Sequence, residues 1–241
     1  MSIVMRIALR LRLWPLIATL LLIGAGCALG QWQTRRAEQK EALFQEIEKA
    51  SAAPLIYLNN TTTDHVFIPF RRLVIEGEFV QDWPLYLDNR PLQGRAGFYV
   101  LMPLRVTGTN KFILVARGWQ VRNPLERTKL PLLYTPPGQI KLTGMMRDQL
   151  DRAMQLGQAE KVKSGSIIQN LDLGDLTAQT GMQFYPFIIE QTSEVADGLQ
   201  RDWPLPSSGA EKHRAYAFQW YALSVMALIF FLVTGFRREK K

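Results

Sequence analysis

Two long uncharged stretches lie near the ends of the chain. Residues 13–34 and 215–236 contain no Asp, Glu, Lys or Arg and are mostly apolar. About 20 apolar residues at ~1.5 Å rise per residue cross the ~30 Å hydrocarbon core of a bilayer. The pattern therefore predicts two transmembrane helices, at residues 13–32 and 213–236, embedded in a lipid bilayer.

The stretch that follows the first span has the composition of a helix. Residues 33–51 are rich in helix formers, and Ala37, Leu43 and Ile47 recur at roughly helical spacing. Proline removes a helical hydrogen bond and clashes with the preceding turn. We therefore expect a helix that leaves the membrane and ends before Pro54.

Further along the chain the hydrophobic period changes to two. Leu73, Ile75 and Phe79 alternate with other residues, including two glutamates, which is a strand pattern. Strands are predicted at residues 72–80, 85–89, 97–106, 111–121, 139–147 and 184–191. Short turn signals separate the first five of them, and this close spacing favours an antiparallel sheet or small barrel over βαβ units. A short helix at residues 171–180, capped by Asn170, is expected to interrupt the sheet.

These elements predict a membrane protein of α and β structure. Two transmembrane helices flank one β-rich, α+β extracytoplasmic domain that begins with a helix. The expected divisions are a basic tail at 1–12, the first transmembrane helix at 13–32, the β-rich domain at 33–212, the second transmembrane helix at 213–236, and a basic tail at 237–241.

The net charge of +8 is concentrated at the two ends of the chain. Residues 1–12 carry three arginines, and residues 237–241 carry four basic residues against one glutamate, which leaves +2 for everything between. Basic residues flank the cytoplasmic ends of membrane spans. We therefore expect both termini to be cytoplasmic, and the middle of the chain lacks the basic, aromatic-interleaved patch typical of nucleic-acid binding.

The one cysteine, Cys27, lies inside the first apolar stretch. An exported domain would therefore contain no disulfide and would depend on its hydrophobic core. Residues 28–30 (ALG) also fit a signal-peptidase site, because small residues stand at the first and third positions. Cleavage after the first span is therefore an alternative to its retention as a membrane anchor. In that case the second span would still hold the chain in the membrane.

Candidate chemistry is sparse. The chain has two histidines, His65 and His213, and no metal-binding, nucleotide-binding or hydrolase motif. A sensor would need a cytoplasmic output domain, and the tails are short.

His213 shares a helical face with Tyr216, Ala217 and Trp220 at the start of the second span. It is either an interfacial histidine beside an aromatic belt or an axial ligand for haem iron, while His65 is expected to be solvated.

Several short motifs occur in a fixed order between the two spans. They are residues 29–33 (LGQWQ) with Arg36 and Lys40, Asn89-Arg90, residues 97–99 (GFY) with Pro103-Leu104, residues 114–119 (LVARGW), residues 201–204 (RDWP), and residues 213–220 (HRAYAFQW). Together they resemble the signature of the Surfeit locus protein 1 family of cytochrome c oxidase assembly factors. Each motif is weak alone, but the ordered set is specific.

The resemblance implies a non-enzymatic role in assembling haem-copper cytochrome c oxidase. It implies that haem a is bound transiently and delivered to oxidase subunit I, with haem a synthase as a further partner. His213 is the expected axial ligand of the haem iron, and Tyr216, Trp220 and Trp32 are expected to pack against the macrocycle. The short basic tails favour a bacterial inner membrane. The alternative is a haem-independent chaperone or scaffold that holds subunit I or an assembly intermediate.

Some motif residues have a structural interpretation as well. Gly118 and Trp119 are expected to form a turn and a core aromatic contact. Arg90, Arg117 and Arg127 either pair with haem propionates or acidic partner residues, or stabilise the domain itself.

Overall fold

The structure is a computed structural model that describes residues 7–9, 13–60, 67–126, 128–130, 132–150, 161–204 and 208–238. His65 and Arg127 lie outside the described residues. The chain divides into two compact units. The helical unit comprises Met1–Glu46 and Pro206–Lys241, and the barrel unit comprises Ile47–Leu205.

The described residues form ten strands, three α-helices and one 3₁₀ turn. In chain order they are β1 (Ile7–Leu9), α1 (Leu13–Ala52), β2 (Ile56–Tyr57), a 3₁₀ turn (Leu58–Asn60), β3 (Arg72–Phe79), β4 (Leu85–Leu87), β5 (Gly97–Val106), β6 (Phe112–Val121), β7 (Gln139–Arg147), β8 (Ile167–Ile168), α2 (Leu173–Thr180), β9 (Phe184–Gln191), α3 (Ala210–Gly235) and β10 (Phe236–Arg238).

Two helices in the described part of the chain, α1 and α3, are long and apolar enough to cross a membrane. Only 11% and 17% of their most apolar 18-residue stretches are buried, which is unlike the core helix of a soluble protein. The predicted span at 13–32 and the predicted helix at 33–51 form one continuous helix of 40 residues, α1. At ~1.5 Å per residue, its length is about 60 Å.

The ends of the helical unit are joined by a short ladder that the sequence did not predict. Strand β1 pairs antiparallel with β10, with Ile7 opposite Arg238 and Leu9 opposite Phe236. This pairing brings residues 7–9 and 236–238 together beyond the ends of α1 and α3.

The barrel unit is a closed barrel of five strands. The order is β3–β7–β9–β6–β5, and β5 closes the ring by pairing with the end of β3. The strand pairs are antiparallel except β6 and β9, which run parallel. The prediction of a β-rich domain is confirmed, and of the two predicted forms, an antiparallel sheet or a small barrel, the structure has the barrel. The parallel pair arises because the chain leaves the barrel after β7 and returns through α2 before β9 is inserted between β7 and β6.

Alternate residues of the barrel strands point inward and form one hydrophobic core. These residues are Leu73, Ile75, Phe79, Met102, Leu104, Val106, Ile113, Val115, Leu142, Met146, Tyr185, Phe187 and Ile189, and Leu58 of the 3₁₀ turn packs with them. Within each strand these residues are two or four positions apart, so they share one face. Gly77 and Gly144 occupy places where a Cβ would overlap a neighbouring strand, so two strands approach closely there.

A second core lies on the outer side of the barrel, under α2 and β4. Leu176 of α2 packs with residues of β4, β5, β6 and β9 in this cluster. The helix begins two residues later than predicted, and its cap is Asp172 rather than Asn170. The Asp172 carboxylate accepts hydrogen bonds from the backbone N–H groups of Gly174 and Asp175, at 2.8 and 3.1 Å.

The motif residues of β6 are structural. Trp119 is buried, and its indole N–H donates to the backbone carbonyl of Arg90 at 2.6 Å, which confirms the predicted core aromatic. Gly118 lies within a strand, beside a β-bulge, and not in the predicted turn. A Cβ on Gly118 would lie 2.7 Å from the Cβ of Leu199, so glycine allows the following chain to pack against the strand.

Candidate functional site

The helical unit contains an antiparallel contact between α1 and α3. On each helix, one row of buried and partly buried residues recurs at alternating intervals of three and four. They are Leu16, Thr19, Ile23, Gly26, Gly30, Gln33 and Ala37 on α1, and Ala210, His213, Ala217, Trp220, Ser224, Ala227 and Phe231 on α3. We call these two rows the helix seam. Such a repeat keeps one side of each helix against its partner.

Small residues let the two helices approach closely. A Cβ on Gly26 would overlap the hydroxyl of Ser224, and a Cβ on Gly30 would lie 2.7–2.9 Å from three ring atoms of Tyr221. Gly26 and Gly30 are four residues apart, which is the spacing of small residues at packed apolar helices. The hydroxyl of Ser224 donates to the carbonyl of Trp220 on its own helix, at 3.0 Å.

His213 lies on the seam, opposite Gln33. Its Nδ1 atom is 2.7 Å from Oε1 of Gln33, and both side chains are partly buried. Among the described residues, Nε2 of His213 has no hydrogen-bond partner. The contact joins two residues that are 180 positions apart in the chain.

An ion pair forms at the residue that follows His213 in α3. Arg214 donates to the carboxylate of Glu41 at 2.5 Å, and it also lies 3.6 Å from the carboxylate of Glu211. Both members of the closer pair are about half exposed. Exposed pairs contribute at most about 1 kcal/mol, so this bridge adds little to the stability of the helix contact.

The other three predicted site residues occupy different environments. Trp220 is partly buried on the seam, two helical turns beyond His213, as the spacing predicted. Tyr216 and Trp32 are 53% and 54% exposed and lie outside the helix contact. Of the face predicted for His213, Ala217 and Trp220 therefore lie on the seam and Tyr216 does not. Among the described residues, no ring-to-ring contact links these three aromatic side chains. Their roles toward a ligand stay predictions.

Trp220 lines an apolar groove in the helical unit. The groove encloses about 400 Å³ and its other lining residues are Leu22, Ala25, Gly26, Leu223, Met226, Ala227 and Phe230. Its walls carry neither charged nor strongly polar side chains. The groove exists because Gly26 and Ala227 leave a depression beside the bulky rings. It suits the hydrocarbon part of an amphipathic ligand.

Gln33 is the residue that the sequence interpretation missed. The motif at residues 29–33 drew attention to Trp32, but the next residue makes the contact with His213. The three-and-four spacing of small residues on α1 was the available signal, because it places Gln33 on the row that contains Gly26 and Gly30.

The two described candidate arginines of the barrel unit are committed to the fold. Arg117 is 1% exposed and donates to the carboxylate of Asp197 at 3.0 Å. Burial lowers the pKa of Arg117 from its ordinary value, and the charge of Asp197 partly restores it. Arg90 is buried and donates to the backbone carbonyls of Asp88, Asn89 and Gln169. Neither guanidinium is presented to a ligand.

A dedicated metal centre is absent from the part of the chain that the structure describes. No group of three or more His, Cys, Asp or Glu side chains is arranged there to hold an ion. A metal bound through His213 would therefore need most of its ligands from another molecule, as the iron of a haem has from its macrocycle.

The fold and the seam define a class: a closed β-barrel that is flanked along the chain by two apolar helices, with a histidine on the contact between those helices. The sequence profile of the SURF1 family matches residues 20–225, and the chain belongs to this family. This confirms the resemblance that the ordered motifs indicated.

Relatives of similar sequence occur in bacteria and eukaryotes. A SURF1-like protein of Rickettsia bellii (strain RML369-C) is 24% identical over 85% of this chain and 84% of its own length. A SURF1-like protein of Drosophila melanogaster is 25% identical over 87% of this chain and 74% of its own. The cytochrome oxidase assembly protein SHY1 of Saccharomyces cerevisiae is 24% identical over 70% of this chain and 47% of its own.

Proposed function

We propose that this protein is a membrane-anchored assembly factor for cytochrome oxidase. Its family supports this proposal, as does its similarity to the cytochrome oxidase assembly protein SHY1 of Saccharomyces cerevisiae. Helices α1 and α3 cross the inner membrane of a bacterium, and the barrel unit lies in the periplasm. The basic tails at 1–12 and 237–241 favour a cytoplasmic location for both termini.

The finer part of the proposal is that the protein binds haem a and assists its insertion into subunit I of a haem-copper oxidase. The observation that carries it is the state of His213, whose Nδ1 is held by Gln33 while Nε2 has no protein partner among the described residues. A neutral imidazole with a free nitrogen is a common axial ligand for haem iron. The protein would receive haem a from the synthase that makes it.

The residues around His213 suit an apolar cargo that must later be released. The apolar groove beside Trp220 would take the hydrocarbon tail, and the exposed rings of Tyr216 and Trp32 would cover the macrocycle. The iron offers an axial coordination position to His213. Because one imidazole holds the iron less firmly than two, release to the oxidase stays favourable. In this role the protein carries haem a and catalyses no reaction.

Haem a content of the purified protein tests this function. The full chain is produced together with the haem a synthesis enzymes, and haem a per protein is measured by absorption in detergent. We expect His213→Ala to lose the haem a and its spectrum. His65→Ala is the matched control because it removes the one other histidine, and it should retain both. If His213→Ala keeps wild-type haem content and spectrum, His213 is not the ligand.

A second candidate function rests on the barrel unit. The described part of residues 122–138 forms neither helix nor strand, and Leu125 and Leu132 are 91% and 101% exposed there. Leu133 of the same segment packs into the core, and Thr135 accepts a hydrogen bond from Arg117. An apolar surface that is already anchored loses little entropy when a partner binds. These features suit a scaffold that holds subunit I without haem.

The two functions predict different purification results. A scaffold would copurify with subunit I and contain no haem a, and Leu125→Glu with Leu132→Glu would abolish copurification. A haem a carrier would contain haem a even when those two leucines are replaced. The double variant therefore separates contact with the oxidase from cargo binding.

A further inference from the structure

We infer that Gln33 is a positioning residue for His213, and that it fixes which ring nitrogen is free to bind iron. This inference rests on the proposed function, because it assigns the second contact of the proposed iron ligand. It goes beyond that function because it names a side chain on the other helix as the determinant of ligand geometry.

The orientation of the Gln33 amide decides the tautomer. Oε1 of an amide accepts hydrogen bonds and cannot donate them, so with Oε1 of Gln33 facing Nδ1 of His213 at 2.7 Å, the contact is a hydrogen bond when the proton is on Nδ1. In the neutral ring the lone pair is then on Nε2, the nitrogen without a protein partner. The opposite orientation of the Gln33 amide would donate to Nδ1 and leave the proton on Nε2, where it would block coordination.

The seam keeps Gln33 in place. Gln33 lies between Gly30 and Ala37 on α1, and both of those residues are buried. On the facing helix, Ala210 and Ala217 flank His213 and are also buried. Both functional side chains therefore project from rigid helices that pack closely on either side of them. Sites built on helices hold their geometry more firmly than sites built on loops.

A neutral amide suits a carrier better than a carboxylate would. Histidines that bind metals usually donate their second N–H group to a carboxylate, a carbonyl or water, which raises the basicity of the ligating nitrogen. A carboxylate raises it most, whereas the amide of Gln33 orients the ring without adding charge. Nε2 of His213 is thus oriented toward the iron, but it binds the iron weakly enough for haem a to be released. Loss of such a contact typically lowers metal affinity by about 10–100-fold.

Nitrogen NMR of the haem-free protein tests the contact directly. The full chain is labelled with ¹⁵N-histidine in detergent at pH ~8, where imidazole is ordinarily neutral. It contains two histidines, so His65→Ala assigns the signals. We expect His213 to carry its proton on Nδ1 in the wild type and in Gln33→Glu. In Gln33→Leu the population should move toward the tautomer with the proton on Nε2.

The haem-loaded protein supplies a second readout. Gln33→Leu should bind haem a about 10–100-fold more weakly. Gln33→Glu should restore binding and lower the reduction potential of the bound haem, because a carboxylate makes the imidazole a stronger donor. Gln31→Leu is the matched control, since Gln31 is exposed on the same turn of α1, and it should change neither the tautomer nor the binding.

The outcomes separate this inference from the proposed function. If wild-type His213 carries its proton on Nε2, or if its tautomer is unchanged in Gln33→Leu, the positioning role is wrong even when haem a binds. If the tautomers follow expectation but no variant, including the wild type, binds haem a, the proposed function is wrong and the contact between Gln33 and His213 stands.

Discussion

Asp197 provides the sharpest test of the barrel unit, because a single carboxylate holds two buried cations. Its Oδ2 atom accepts from Arg117 at 3.0 Å and from Arg201 at 2.6 Å, and the side chain is 0% exposed. Its Oδ1 atom accepts from the backbone N–H of Leu199. Replacing Asp197 by Asn keeps the shape of the side chain and removes its charge.

The expected loss of stability is large for one substitution. Asp197→Asn leaves Arg117 and Arg201, which are 1% and 11% exposed, without a counter-ion. Removing one partner from a buried ion pair destabilises a protein by about 3–5 kcal/mol. For a unit of about 160 residues, each kcal/mol lowers the melting temperature by roughly 2–4 °C. We therefore expect the transition of the barrel unit to fall by roughly 6–20 °C.

The assay is thermal unfolding of the full chain in detergent, followed by near-ultraviolet circular dichroism of its aromatic residues. Glu78→Gln is the matched control, because it removes the same type of pair, with Arg105, where the side chains are 39% and 60% exposed. That pair should contribute at most about 1 kcal/mol. Equal melting temperatures for Asp197→Asn and Glu78→Gln would refute the argument that burial makes the Asp197 cluster important.

Three further outcomes follow from individual contacts. Burial raises the pKa of the Tyr86 phenol above its ordinary value of 10.0, although Arg117 partly opposes the shift. Above pH ~10 the unfolded state ionises first, so stability should fall more steeply with pH in the wild type than in Tyr86→Phe, as measured by denaturant titration. Gly26→Ala should lower the helical unfolding temperature in detergent, and Ser224→Ala should restore most of it, since the added Cβ overlaps the Ser224 hydroxyl. Asp172→Ala should cost about 1 kcal/mol in denaturant unfolding, because it removes the cap of α2, and an unchanged midpoint would contradict that assignment.

Much of the barrel could be predicted because its sequence signals are local. The ends of β5, β7 and β9 coincide with the predicted strands, since their apolar residues and the turn residues around them mark them directly. The two-residue strands β2 and β8 could not be predicted, because each is defined by the strand it pairs with. The parallel pairing of β6 with β9 also depends on contacts between distant segments.

The candidate site shows the same division. His213 and Trp220 share the seam of α3 because helical spacing is a local property of the sequence. The pairing of His213 with Gln33 depends on the register of two helices that are far apart in the chain. The arginines were ambiguous because an Arg in a strand motif has the same sequence signal whether it faces a ligand or, like Arg117, a buried aspartate.

The bond between His213 and iron is the central claim, and magnetic resonance of the haem-loaded protein measures it most directly. The full chain is labelled with ¹⁵N only in histidine, loaded with haem a, and examined by electron–nuclear double resonance of the ferric haem. We predict a strongly coupled ¹⁵N nucleus that is present in the wild type and in His65→Ala and absent in His213→Ala. A loaded wild-type protein whose iron shows no coupled histidine nitrogen, or a coupling that survives in His213→Ala, would contradict the account.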